Sequence, residues 1–251
     1  MKGVILAGGK GTRLFPLTEV TNKHLLPVGR EPMVWHAVRQ LISSGITEIL
    51  LVTSTEHMGD IVNSLGSGVK FGCQITYRVQ EQSNGIAHGL LLAETFSAGH
   101  KVIVLLADNV FEHSIAEHVQ KFSIQKSGGY VLLKEVGDPE RYGVAALDEK
   151  QIIAIEEKPH QPKTNYAVVG CYMYDNTVFK IIKSLNLSAR GELEITDVNN
   201  NYAKTKQLQY GFVRGKWTDA GTFESLAEAN ALLLNLNNKI IESQELYEYS
   251  I

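Results

Sequence analysis

Apolar and polar positions alternate in two textures along the first half of the chain. Val4–Ala7 is a short unbroken apolar run that stops in glycines, the pattern of a strand buried on both faces. Pro32 then opens a stretch with Val34, Ala37, Val38, Leu41 and Ile42 at helical spacing, which Gly45 ends. The pair of patterns repeats. Ile49–Val52 reads as a strand, and Met58, Ile61, Val62 and Leu65 form a helical stripe closed by Gly66. Ile75, Tyr77 and Val79 alternate as a strand does, and a helix is predicted from about Gly85 to Phe96. Val102–Ala107 is the most apolar strand of all and runs into Asp108-Asn109. Ile115, Val119 and Phe122 mark a further helix, and Tyr130–Leu133 a further strand. Such alternation predicts parallel βαβ units with helices on both faces of one sheet.

The texture changes after Val136. Val144–Leu147 and Ile152–Glu156 flank a turn at Asp148-Glu149-Lys150 and predict a hairpin; Tyr166–Tyr174 is a long strand rich in aromatic and β-branched residues. Helices are predicted at Val178–Leu185, Glu194–Lys204 and from about Phe223 to Leu236, with a strand near Leu208–Val213. No repeat, linker or low-complexity tract interrupts the chain. The expected fold is therefore α/β and Rossmann-like: a mostly parallel central sheet flanked by helices, followed by a mixed β/α second half. It is expected to form a single unit over 1–251, with about 1–135 as one half and about 136–251 as the other.

Composition narrows the possible partners. Across 251 residues, 44% are apolar and 20% charged, the balance of a chain that buries a core. Net charge is −3 and no two Lys or Arg residues are adjacent, so nucleic acid and anionic membranes are not expected partners. No apolar run approaches the length of a membrane span, and the apolar stretch within the first nine residues is too short for a secretory leader. The two cysteines, Cys73 and Cys171, lack any metal-ligand spacing. A cytoplasmic protein is expected.

Leu6-Ala7-Gly8-Gly9-Lys10-Gly11-Thr12-Arg13-Leu14 is the strongest local signal. A buried strand entering a glycine-rich loop exposes backbone N–H groups that suit phosphate, and Lys10, Arg13 and Lys23 add mobile cations. Gly9 stands where a P-loop needs Lys, and Leu14 where a dinucleotide fingerprint needs its third glycine, so neither template applies. An ordinary glycine turn is the plain alternative. Asp108 lies beyond the C-terminal end of an apolar strand, where open α/β sheets place ligands; it reads as a Mg²⁺ ligand or as the N-cap of a helix beginning near Phe111. Asp219, within Gly215-Lys216-Trp217-Thr218-Asp219-Ala220-Gly221-Thr222, occupies a comparable junction and shares a metal with Asp108 or caps separately. Glu156-Glu157-Lys158-Pro159 ends the hairpin and offers a carboxylate for a sugar hydroxyl and an ammonium for a phosphate, or a surface charge pair. His36, His57, His88, His100 and His118 read as surface or helix-end histidines, and nothing supports a hydrolytic nucleophile.

Leu6–Leu14, Lys23–Pro27, Ala107–Asn109, Asp138–Val144, Glu156–Pro159, Asn165–Val168, Ala189–Asp197 and Thr218–Thr222 occur in the order found in the sugar-1-phosphate nucleotidylyltransferases, which the chain resembles over nearly its whole length. The resemblance implies a fold of the nucleotide-diphospho-sugar transferase type, with a nucleotide-binding first half and a sugar-phosphate-binding second half. It implies nucleotidyl transfer from a nucleoside triphosphate, dTTP favoured, to glucose 1-phosphate with release of pyrophosphate. UTP or CTP, or another sugar 1-phosphate, is the nearest alternative; a non-catalytic nucleotide-sugar-binding regulator and a dinucleotide-dependent oxidoreductase are more distant ones. On this resemblance Arg13, Asp108, Lys158 and Asp219 are catalytic, and Asp108 and Asp219 hold Mg²⁺. Gly8, Gly9, Gly11, Thr12, Arg13, Lys23, Gln80 and Gly85 meet the nucleotide. Asn109, Gly143, Glu157, Lys158, Val168 and Arg190 meet the sugar phosphate. A homo-oligomer is expected, and a catalytic core without the additional C-terminal helices of longer members. Ala107 replaces a common Gly and is expected to narrow the sugar site; Val169 replaces a common Thr, and His24 and His88 a common Gln.

Overall fold

The computed structural model describes residues 1–248; the end of the expected unit, 249–251, lies outside the described residues. In chain order the elements are β1 (Lys2–Ala7), β2 (Pro27–Val28), β3 (Glu31–Pro32), α1 (Met33–Ser43), β4 (Glu48–Thr53), α2 (Met58–Leu65), β5 (Gln74–Val79), α3 (Ile86–Leu91), α4 (Glu94–Ser97), β6 (Val102–Leu106) and β7 (Asn109–Phe111). They continue with α5 (Ala116–Ile124), β8 (Gly129–Glu135), β9 (Gly143–Asp148), β10 (Gln151–Glu157), β11 (Tyr166–Tyr174), α6 (Val178–Lys183), α7 (Ile195–Lys204), β12 (Leu208–Phe212), β13 (Trp217–Asp219) and α8 (Phe223–Glu248).

Period-two alternation in β1 organises two layers of core. Ile5 and Ala7 join α1 and α5 residues such as Val34, Val38 and Phe122 on one face. Val4 and Leu6 join Ala87, Leu90, Phe179 and Val198 of α3, α6 and α7 on the other. Both faces are thereby buried, which is why the run had to be continuously apolar. Parallel pairing places β1 between β4 and β6, with β5 beyond β4. The second half adds strands to the same sheet: β11 pairs antiparallel with β6, β8 and β9, the β9–β10 hairpin forms one edge, and β12 pairs parallel with β8. The α/β reading holds.

Four details differ from the sequence expectation. The helix expected over Gly85–Phe96 is two, α3 and α4, separated at Leu92 and Ala93. Four short strands, β2, β3, β7 and β13, were not foreseen; at two or three residues each they are too short for periodicity to register. Asp108 enters β7, so it is not a helix cap. Finally, α8 continues well past Leu236 and is helical through Glu248. A third apolar cluster seats α8: Leu226, Ala229 and Leu232 pack with Leu14, Val28, Met33, Val110 and Ala220. That cluster ties the glycine-rich loop, β7 and β13 to one support.

Candidate active site

The site lies at the C-terminal ends of β1 and β6, where the chain leaves the sheet. β1 delivers Gly8 and Gly9, after which a short turn over Thr12–Leu14 carries Arg13, pinned by the fully buried Leu14 beside it. A cavity of about 340 Å³ is lined by Gly8, Gly9, Arg13, Lys23, Gln80 and Gly85, six of the eight residues expected to meet a nucleotide. Gly11 and Thr12 shape the turn that carries Arg13 and do not line the cavity. Gly85 is conformationally required: φ is +94°, and a Cβ there would come within 2.5 Å of the Leu193 carbonyl oxygen. Gln80 donates Nε2–H to the Gly85 carbonyl at 3.3 Å and meets His88 Nδ1 at 2.9 Å. Its amide nitrogen is thereby committed, and Oε1 is left on the side of Gly8.

His88 is therefore more than a helix-end residue. His118 also departs from expectation: it is buried at 6% exposure against the Tyr130 hydroxyl, 3.2 Å away, and burial lowers its pKa. His24 is fully buried, its Nδ1 at 2.7 Å from Asn22 Oδ1. Burial first, and the Lys23 charge second, bring its pKa down to about 3.

Asp108 and Asp219 are brought together by the unforeseen ladder. Asp219 pairs in register with Asn109, and the Ala220 N–H donates to the Asp108 carbonyl at 2.8 Å. Burial alone would raise the Asp108 pKa, but the Lys23 ammonium, 2.5 Å from Oδ2, and the Asn109 amide, 2.9 Å from Oδ1, hold it well below the usual carboxylate range. Asp219 moves the other way, raised by burial and then by the Asp108 charge. Its Oδ1 accepts from Arg141 at 3.1 Å and from the Tyr142 hydroxyl at 3.4 Å. A cation already sits on Asp108, which shows that this carboxylate is built to face positive charge. Among the described residues no group of three or more His, Cys, Asp or Glu forms a metal cage. Two carboxylates and open space fit a hard divalent cation that completes its shell with water and phosphate oxygens.

A second cavity, about 270 Å³, opens on the other side of this pair and shares Arg13 and Asp108 with the first. Of the residues expected to meet a sugar phosphate, all six line it: Asn109, Gly143, Glu157, Lys158, Val168 and Arg190. Glu157 is fixed by the Thr196 hydroxyl at 2.6 Å and Arg190 at 3.3 Å, while Arg190 forks onto Glu194 at 3.1 and 2.7 Å. Lys158 has φ +44°, an uncommon conformation for a side-chain-bearing residue, held by its N–H bond to the Tyr142 carbonyl at 3.0 Å. Such backbone is typically retained where it aims a side chain. Arg141, Tyr142, Thr196, Glu194 and Trp217 also line the cavity and were missed. Four of the five lie inside the segments that carried the resemblance and Trp217 immediately precedes Thr218–Thr222, but residue type alone gave no reason to select them. Ala107 requires a correction: its methyl packs into the core with Ile5 and Leu105, as does Val169, so neither narrows the cavity.

The chain is similar to known proteins in both sequence and fold. A model of the nucleotidyl transferase family matches residues 2–235. The glucose-1-phosphate thymidylyltransferase of Neisseria meningitidis serogroup A is 40% identical over 95% of this chain and 84% of that protein. Its namesake in Mycolicibacterium smegmatis is 41% identical over 92% and 81%. Among solved structures, a Bacillus anthracis protein assigned as a glucose-1-phosphate thymidylyltransferase, in complex with sucrose, superimposes with a TM-score of 0.90 at 56% identity, covering 93% of this chain and 95% of that one. A UDP-glucose pyrophosphorylase complexed with UDP-glucose superimposes with a TM-score of 0.82 at 26% identity, covering 93% and 98%.

Proposed function

Because the chain belongs to the nucleotidyl transferase family, we propose that its two joined cavities bring dTTP and glucose 1-phosphate together to form dTDP-glucose and pyrophosphate. The single observation that carries this reading is the sharing of Arg13 and Asp108 by both cavities. A reaction that joins two anionic phosphates needs its positive charge at the boundary between their sites, and there Arg13, Lys23 and the two carboxylates converge.

The chemistry follows from charge and alignment. An oxygen of the sugar phosphate attacks the α-phosphorus, and the bond from α-phosphorus to the bridging oxygen breaks as pyrophosphate leaves. The attacking oxygen is already ionised, so no general base is required. Lys158 and Arg190 hold the incoming phosphate, and Glu157 receives sugar hydroxyls with its oxygens preset by Thr196 and Arg190. Arg13 and Lys23 stand against the triphosphate and offset charge on the departing pyrophosphate. Preorganised donors of this kind are worth about 3 kcal/mol each in comparable sites. Asp108 and Asp219 would hold Mg²⁺, which when bound screens the approach of one phosphate to the other. Gln80 favours thymine or uracil: its free amide oxygen accepts an imide N–H, which cytosine lacks at that ring position.

Pyrophosphate release measured across dTTP, UTP and CTP with glucose 1-phosphate and other sugar 1-phosphates, with Mg²⁺ or with chelator, tests the proposal. Release with dTTP and glucose 1-phosphate that requires the cation is expected. Absence of release from every pair would overturn the enzyme reading, and CTP as the preferred donor would overturn the role given to Gln80.

A further inference from the structure

Asn109 was expected to touch substrate, yet it is only 4% exposed and its amide is almost fully engaged. Two N–H groups converge on Oδ1: the Trp217 indole at 2.8 Å and the Gly170 backbone at 2.8 Å. Neither donor can accept, so chemistry alone dictates that the oxygen of the amide faces them. The nitrogen must then face Asp108, where it donates to Oδ1 at 2.9 Å. Gly170 also supplies the room. A Cβ at that position would lie 2.5 Å from Asn109 Nδ2 and 2.7 Å from its carbonyl carbon and oxygen. Trp217 itself is fixed from outside the relay. It pairs in register with Phe111 across the β7–β13 ladder and meets Tyr142 edge-on, ring centres 5.3 Å apart.

We propose that Trp217 is a positioning residue for the cation site: through Asn109 it reserves one oxygen of Asp108 and leaves the other, Oδ2, turned toward positive charge. In the structure that charge is Lys23. On the reading of Asp108 and Asp219 as cation ligands, on which this inference rests, Oδ2 is the oxygen offered to the divalent ion that accompanies the triphosphate. Without the indole N–H, Asn109 loses one of the two donors that forbid its amide from turning over. A turned amide would place an oxygen against a carboxylate oxygen, and Asp108 would rotate away. Partners one step removed from a metal ligand typically govern affinity by a factor of ten or more.

The test uses the full chain, dTTP and Mn²⁺ as the paramagnetic probe, with no sugar phosphate present. Trp217→Phe removes the donor while keeping an aromatic ring, though a smaller one, against Tyr142. It is expected to bind Mn²⁺–dTTP about tenfold more weakly by electron paramagnetic resonance, while metal-free dTTP binding in chelator stays at the wild-type value. Asn109→Ala is expected to show the same split, and the double variant to be no weaker than Asn109→Ala, since one relay is being cut twice. A tryptophan acting only by touching sugar would leave all of these values unmoved. Wild-type affinity in Trp217→Phe, or additive losses in the double variant, overturns the proposal. If Trp217→Phe fails to fold, Asn109→Ala decides: the Trp217 indole proton, distinguished from that of Trp35, loses its hydrogen-bonded NMR shift as Mn²⁺–dTTP affinity falls. An unchanged shift or affinity overturns the relay. Should wild type bind dTTP identically with and without the cation, the underlying functional reading fails instead.

Discussion

At the scale of single residues, the site is held by the contact between Lys23 and Asp108. Their side chains are only 12% and 15% exposed, so each charge depends on the other rather than on water. Removing one partner of such a pair strands a buried charge, at a cost of about 3 kcal/mol, whereas replacing both is often close to neutral. Lys23→Met is therefore expected to lower the urea midpoint clearly, and addition of Asp108→Asn to restore most of it. A single variant as stable as wild type, or a double variant no better than the single, would show that the pair carries no such burden. Turnover separates from stability here. Asp108→Asn is expected to reduce pyrophosphate release by at least about 100-fold, the scale of losing a preorganised electrostatic group, with the near-ultraviolet circular dichroism of a folded protein. Retained release would remove Asp108 from the reaction. Both residues were legible in the sequence, Asp108 as a carboxylate just beyond an apolar strand and Lys23 as a cation ten residues after Arg13. Asn109's role as an orienting amide was not, since its partners Trp217 and Gly170 are 108 and 61 positions away.

At the scale of elements, long stretches declared themselves and short ones did not. β1, β4 and β6 are buried on both faces and read as unbroken apolar runs, and α1 buries Val34, Ala37, Val38 and Leu41 from one stripe. β7 and β13 have three residues each, and their pairing is fixed by the tertiary seat that α8 provides, not by local pattern. The start of α8 is consequently part of the site. Thr222 Oγ1 accepts the Ser225 N–H at 3.2 Å, and Ser225 Oγ accepts those of Thr222 and Gly221 at 3.0 and 3.1 Å. This reciprocal cap fixes the Asp219–Thr222 corner as well as starting the helix. Thr222→Ala is expected to cost about 1 kcal/mol in urea denaturation and Ser225→Ala a similar amount. Variants indistinguishable from wild type would mean that packing by Leu226 and Ala229 suffices to hold the corner.

At the scale of the whole molecule, the parallel half and the antiparallel half share one sheet because β11 lies directly against β6. Among the described residues no helix is long and apolar enough to cross a membrane. Global stability then carries the titration of groups the fold has buried. His24 titrates near pH 3 in the native state, and His36 and His118 are also lowered, with burial the leading cause in all three. The unfolded chain takes up these protons near pH 6.5, before the native protein does. Between pH 6.5 and about 3 the unfolded state therefore binds more protons through His24, and native stability falls as pH falls. His24 contributes a slope approaching roughly 1 kcal/mol per pH unit in that window, and His36 and His118, lowered by burial, act in the same direction. Asp108, held low, keeps its contribution until far more acidic pH, while Asp219, raised by burial, works in the opposite direction near the carboxylate range. Across pH 7.5 to 5.5 the histidines govern. Urea unfolding over that interval is expected to show stability declining with acid, and His24→Gln to flatten the decline whatever it does to stability at pH 7.5. A variant with the wild-type slope would show that His24 takes up its proton over the same pH range in the native protein as in the unfolded chain.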